Sequence, residues 1–242
     1  MNLIVDVGNT FVKFAIYDDA NLIHKISFKL TELKKQYISL KKDFPKLKYA
    51  IISSVGRLSK QQIEVIKKDF RVIELSYKTK VPFKNLYQTP KTLGVDRIAL
   101  VSASVNQFSD KNVLVIDAGT CITYDFITDK NHYLGGAISP GIRLRYKTLN
   151  NLTANLPLLD TDLPKTIIGN STESSIHSGV IYGVVKEIDG VIDQYRLNHQ
   201  DLTVILTGGD AKFLSNQLKN SIFANSNFLL EGLNFILDYN SK

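Results

Sequence analysis

The chain has a single cysteine, Cys121, so neither an intramolecular disulfide nor a multi-cysteine zinc site can form. Cys121 follows a turn where a small buried residue fits. No histidine or basic residue flanks it to stabilise a thiolate, so a packing role is expected. No apolar run approaches the ~20 residues of a membrane span, and Asp6 interrupts the first apolar run too early for a signal peptide. A soluble, cytoplasmic protein with no membrane partner is therefore expected. The pattern G-x-x-x-x-G-K-[ST] is missing, which excludes a P-loop, and no G-x-G-x-x-G follows a strand. The four histidines, His24, His132, His177 and His199, have no spacing that suggests a metal site and read as surface or satisfied residues. Low-complexity tracts are also missing.

What is there is ordinary in bulk. At 242 residues, 44% hydrophobic and 22% charged, the chain can bury a proper core as one large domain or two smaller ones. The net charge of +7 comes from lysines scattered along amphipathic helices, among them Lys34, Lys35, Lys41, Lys42, Lys67 and Lys68. That is the pattern of a solvated helix surface, so no nucleic-acid partner is expected. The same charge would mildly attract small anionic substrates.

Two short stretches organise the rest: Val5-Asp6-Val7-Gly8-Asn9-Thr10 and Ile116-Asp117-Ala118-Gly119-Thr120. Each closes an apolar run and precedes an alternating one, so both read as strand–turn–strand phosphate grips. Gly8 lets the backbone approach an anion, and Asn9 and Thr10 offer amide and hydroxyl groups. Asp6 would repel a bare phosphate but suits a Mg²⁺ whose waters stand between it and the phosphates. A plain hairpin turn is the alternative for either stretch alone.

The pattern around the first grip reads as strands at 2–8, 10–17 and 22–29, a helix at 31–43, and a strand over Tyr49–Ser54. A helix at 59–69, a strand over Arg71–Ser76 and a helix over Asp96–Gln107 complete βββαβαβα. After a polar link the pattern resumes with strands at 113–117, 121–127 and 132–138, then helices near 142–150 and 173–196. A strand over Leu202–Leu206, a helix at 210–219, a short strand over Ile222–Ala224 and a helix over Phe228–Leu237 close the chain. The repeat predicts two duplicated α/β domains, 1–108 and 109–242, each a mixed sheet with flanking helices, around a central nucleotide cleft. Asn155–Pro164 is the expected long loop. Thr207-Gly208-Gly209-Asp210 lies between a strand and a helix, where Gly208 and Gly209 open a flat surface for a base or sugar; a plain turn is the alternative.

Leu93-Gly94-Val95-Asp96-Arg97, the two Asp-Gly-Thr grips, Leu134-Gly135-Gly136-Ala137-Ile138-Ser139-Pro140-Gly141 and Thr207-Gly208-Gly209-Asp210 form an ordered set. Together they resemble the type III pantothenate kinases of the acetate and sugar kinase/Hsp70/actin superfamily, over nearly the whole chain. The resemblance implies ribonuclease H-like domains, a homodimer, ATP with Mg²⁺, and K⁺ or NH4⁺ as monovalent cation. It implies that Asp6, Val7, Gly8, Asn9, Thr10, Phe11, Val12 and Lys13 form the first ATP-phosphate segment. Thr120 would be an ATP contact and Asp117 the monovalent-cation ligand. Tyr87, Gly94, Val95, Asp96 and Arg97 would bind pantothenate, with Asp96 as proton acceptor. Thr172 would be a further substrate contact from a dimer-forming region.

The chemistry agrees: in phosphoryl transfer the protein mainly positions reactants and neutralises charge. A carboxylate can orient a primary hydroxyl and take its proton late, and Arg97 could pair with a substrate carboxylate. On the residues alone, Asp96 and Ser171 or Thr172 could equally be helix caps. Ser171 stands where the family pattern leads one to expect Asn or Asp, and Tyr146-Lys147-Thr148-Leu149 departs from it too. Gly179 and Gly183, four apart in one helix, predict a close helix approach, within the subunit or across a dimer axis. Two rival functions remain: a kinase of the same superfamily for another small hydroxyl compound, and a non-catalytic ATP-binding regulatory accessory protein.

Overall fold

The computed structural model describes residues 1–8, 10–54 and 58–241. The chain forms two compact units: residues 1–109 with 131–133 and 227–242, and residues 110–130 with 134–226.

The first unit is built on a five-stranded sheet. Its strands are β1 (Asn2–Val7), β2 (Val12–Asp18), β3 (Asn21–Phe28), β4 (Tyr49–Ser54) and β5 (Arg71–Glu74), in the order β3-β2-β1-β4-β5. β1 pairs antiparallel with β2 and parallel with β4, which explains why β1 is buried along its whole length. Helices α1 (Leu33–Asp43) and α2 (Lys60–Asp69) cover the sheet with Leu33, Tyr37, Leu40 and Ile66, while their lysines stay outside. Ser59 opens α2 with a reciprocal capping box to Gln62. The structure adds a two-residue strand, β6 (Lys84–Asn85), paired with His132 and Tyr133, and α3 (Val95–Gln107) follows it.

The second unit repeats the plan. Its strands β7 (Val113–Ala118), β8 (Cys121–Ile127), β9 (His132–Pro140, whose first two residues group with the first unit), β10 (Thr203–Thr207) and β11 (Phe223–Ala224) lie in the order β11-β10-β7-β8-β9. β7 is antiparallel to β8 and parallel to β10, as β1 is to β2 and β4. Helices α4 (Ile142–Asn151), α5 (Thr172–Asn198) and α6 (Ala211–Ser215) complete it, and residues 152–171 are the long connection.

Two expectations change. The last helix, α7 (Phe228–Ser241), groups with the first unit although the sequence places it in a 109–242 domain. Its apolar face, including Leu230, Leu233 and Leu237, is buried. A Cβ on Gly232 would stand 2.0 Å from the Ala99 carbonyl oxygen of α3, so only glycine allows this approach. Buried Asn234 accepts from Asn2 Nδ2 at 2.8 Å and donates to the Asp19 carbonyl at 2.8 Å, tying α7 to β1. The helix expected at 210–219 stops at Ser215. The Lys219 and Asn220 amides donate instead to the buried Asp189 carboxylate, at 3.3 and 3.2 Å.

Candidate active site

In the first unit, β1 delivers Asp6 to the head of the first turn. The register pairs Asp6 with Lys13 and Val7 with Val12, and the Gly8 amide donates to the Phe11 carbonyl at 3.1 Å. The turn is therefore tight, with Thr10 and Phe11 exposed and Val12 buried; Asn9 lies outside the described residues. Lys13 Nζ stands 3.5 Å from Asp6 Oδ2. Burial raises the Asp6 carboxyl above the usual carboxylate range, the Lys13 charge opposes that, and the charge of Asp96 adds to the rise. Asp6 and Asp96, ninety positions apart, thus sense each other.

Asp96 sits in the first turn of α3. Gly94 occupies the cap position with no side-chain cap bond, and Asp96 Oδ1 accepts from the Arg97 amide at 2.9 Å. The carboxylate folds back over Gly94, where a Cβ would come within 2.3 Å of Asp96 Oδ1. Asp96 is thus not the helix cap. Arg97 is 5% exposed, and its guanidinium lies 5.6 Å from the Tyr87 ring centroid. Val95 precedes them, half-buried. Tyr87 stacks on buried Tyr133 at 6.1 Å and 25°, and Tyr133 meets Phe83 edge-on. Nothing in the sequence pattern marks Tyr133; the β6 pairing brings it under Tyr87.

In the second unit three loops converge at strand ends. The first is the turn from Asp117 to Thr120, in which the Gly119 amide donates to the Cys121 carbonyl at 2.9 Å. The second is Pro140-Gly141, whose Gly141 amide donates to the Thr120 carbonyl at 3.0 Å. The third is Gly208-Gly209-Asp210, whose Asp210 amide donates to the Ala118 carbonyl at 2.9 Å. Gly208 has φ +96, and a Cβ there would stand 2.3 Å from the Ala118 oxygen and 2.4 Å from Asp117 Oδ1. Nothing lies within 4 Å of a Cβ on Gly209, so that position is open. Burial raises the Asp210 carboxyl, against the Arg143 charge.

Half-buried Asp117 pairs directly with Thr123 across the β7–β8 hairpin. The Thr123 hydroxyl is buried without a hydrogen-bond partner, the kind of donor a cation beside Asp117 could use. Counting across the hairpin turn would have found Thr123. Cys121, expected to be buried, is exposed, because the alternation turns Ile122 inward. Among the described residues no group of three His, Cys, Asp or Glu side chains could hold a metal.

Ser171, not Thr172, caps α5, accepting from the Ser174 amide at 3.2 Å. Thr172 is exposed at the mouth of an open cavity of about 680 Å³ that is also lined by Leu149, Leu156, Ile176 and Gly179. Nothing approaches within 4 Å of a Cβ on Gly179, while Arg145 Nη1 lies 3.8 Å from one on Gly183. Among the described residues no helix approach accounts for Gly179. Leu152, Ile167 and Ile168, 80%, 64% and 81% exposed, lie on the connection leading to the cavity.

Known proteins agree with this architecture. A solved structure of a Campylobacter jejuni protein, put forward as a Baf family transcriptional activator, aligns at TM-score 0.65 and 23% identity, covering 99% of this chain and 98% of that one. A glucokinase from an Antarctic psychrotroph aligns at TM-score 0.54 and 12% identity, over 98% of each chain. These likenesses establish the fold, two duplicated ribonuclease H-like α/β domains. By sequence, the chain is 52% identical to the type III pantothenate kinase of Christiangramia forsetii over 99% of both proteins. The family model "Type III pantothenate kinase" matches residues 2–194. The chain belongs to the type III pantothenate kinase family.

Proposed function

We propose that the chain transfers the γ-phosphoryl group of Mg-ATP to the 4′-hydroxyl of pantothenate, the first step of coenzyme A synthesis, in the cytoplasm. Membership of the family carries the activity; the observation that supports the assignment of roles is the corner formed by Asp6, Asp96, Arg97 and Tyr87. Asp96, fixed through Oδ1 by the Arg97 amide, orients the acceptor hydroxyl and takes its proton as the phosphoryl group leaves ATP. Buried Arg97, its guanidinium 5.6 Å from the Tyr87 ring centroid, receives the polar atoms of pantothenate, together with Gly94 and Val95.

Residues Asp6 to Lys13 take the phosphates, with Asp6 on the side of the Mg²⁺ and its waters. The metal, when bound, neutralises phosphate charge; Asp6, buried with a partly exposed Lys13 as counter-charge, suits an outer contact to it. Thr120 adds a hydroxyl to ATP, and Gly208 and Gly209 clear room for the nucleoside. Asp117 and the unpartnered Thr123 hydroxyl fit a K⁺ or NH4⁺. A homodimer would cover the exposed Leu152, Ile167 and Ile168 and place a second chain over Gly179 and Thr172, where Thr172 contacts substrate.

ADP release measured across a panel of hydroxyl acceptors, in K⁺ and in Na⁺, tests this reading. Stimulation by pantothenate alone, dependent on K⁺, is expected. A different preferred acceptor would indicate another small-molecule kinase. ATP binding without any acceptor-dependent turnover would indicate a regulatory protein.

A further inference from the structure

We propose that Arg145, held by Glu187 and Tyr124, is a positioning residue for the second phosphate turn; this rests on the assignment of Thr120 to ATP. Among the described residues, the Arg145 side chain makes no hydrogen bond to the second turn itself. Its Nε donates to the Pro140 carbonyl at 2.9 Å, and its Nη2 donates to Ser139 Oγ at 3.1 Å and to Glu187 Oε2. The Tyr124 hydroxyl donates to the other Glu187 oxygen at 2.9 Å. One guanidinium thus joins α4 and α5 to the last two residues of β9.

The next residue carries the effect onward. The Gly141 amide donates to the Thr120 carbonyl at 3.0 Å, and a Cβ on Gly141 would lie 2.0 Å from the Gly119 oxygen. The two backbones are in contact, so a shift at Pro140 moves Gly119 and Thr120. The far end of β9 cannot absorb the shift, because Gly136 presses on β8: a Cβ there would stand 1.6 Å from the Tyr124 oxygen. Gly183 leaves the space through which the Arg145 side chain runs, with Nη1 3.8 Å from where a Cβ would be, and Glu187 lies one helical turn further along. Serving a carbonyl, a hydroxyl and a carboxylate together needs the planar fork of arginine; a lysine ammonium cannot span them in that geometry.

The test uses Arg145→Lys and Glu187→Gln in the full chain, with Mg-ATP binding by calorimetry, KM for both substrates, and thermal melting. Both variants are expected to weaken Mg-ATP binding about tenfold, through loss of one charge-assisted tie, with KM for pantothenate changed less than about twofold. Unchanged Mg-ATP affinity in a folded variant overturns the proposal. So does a parallel loss for both substrates with a lowered melting temperature, which would mean a merely structural role. Should the parent chain bind Mg-ATP but fail to phosphorylate pantothenate, the functional reading fails while the calorimetric comparison still decides this one.

Discussion

Gly94→Ala should separate catalysis from folding. The backbone at Gly94, φ −57 and ψ 134, is open to any L residue. The added Cβ would stand 2.3 Å from Asp96 Oδ1, with the next atoms at 3.5 and 3.7 Å, so only the carboxylate must move. Replacing a cap-position glycine with alanine costs roughly 0.5–1 kcal/mol. Reduced freedom of the unfolded chain offsets about 0.4–1 kcal/mol of that. The net change is within about 1 kcal/mol, or a Tm shift of less than about 4 °C at this chain length. The displaced carboxylate loses its alignment with the acceptor hydroxyl, and a misplacement of ~1 Å costs on the order of 10²-fold. A coupled ADP-release assay should therefore show kcat down about 10²-fold, with KM for ATP little changed and normal melting. A kcat within twofold of the parent, at unchanged Tm, would refute the claim that the Asp96 carboxylate acts where the structure holds it.

Asp6→Asn should abolish turnover and raise Tm at neutral pH. Burial lifts the folded-state pKa of Asp6 above its unfolded value, so the stability this group contributes is full at acid pH and is lost as pH rises through the folded value. The Tm advantage of the variant should shrink as pH falls; melting curves from pH 4 to pH 8 check it, and an advantage that grows toward acid would contradict it. Thr123→Val should leave Tm equal or higher, because a buried unpartnered hydroxyl is removed, while raising the K⁺ concentration for half-maximal activity several-fold. A K⁺ titration showing no change would remove Thr123 from the cation site.

The two strand–turn–strand hairpins and the duplicated sheets are legible because their signals are local: an apolar strand ended by Asp-x-Gly, and the same order of elements twice. The partner of α7 is not. An amphipathic helix announces that it has a buried face, not which surface receives it, and the glycine that fits α7 to α3 is one among several in the chain. Tyr133 was invisible for a similar reason, since it reaches Tyr87 only through a two-residue strand. The extent of α6 depended on Asp189, whose carboxylate takes the two amides that would have continued the helix. Asp96 read equally well as a cap until the structure put Gly94 at that position.

Turnover and Mg-ATP binding of Asp96→Asn, measured side by side, test the central claim most directly. Loss of a general base costs roughly 10²–10⁴-fold, so ADP release with pantothenate should fall by that much while calorimetry returns the parent affinity for Mg-ATP. Near-normal turnover in this variant would contradict the account.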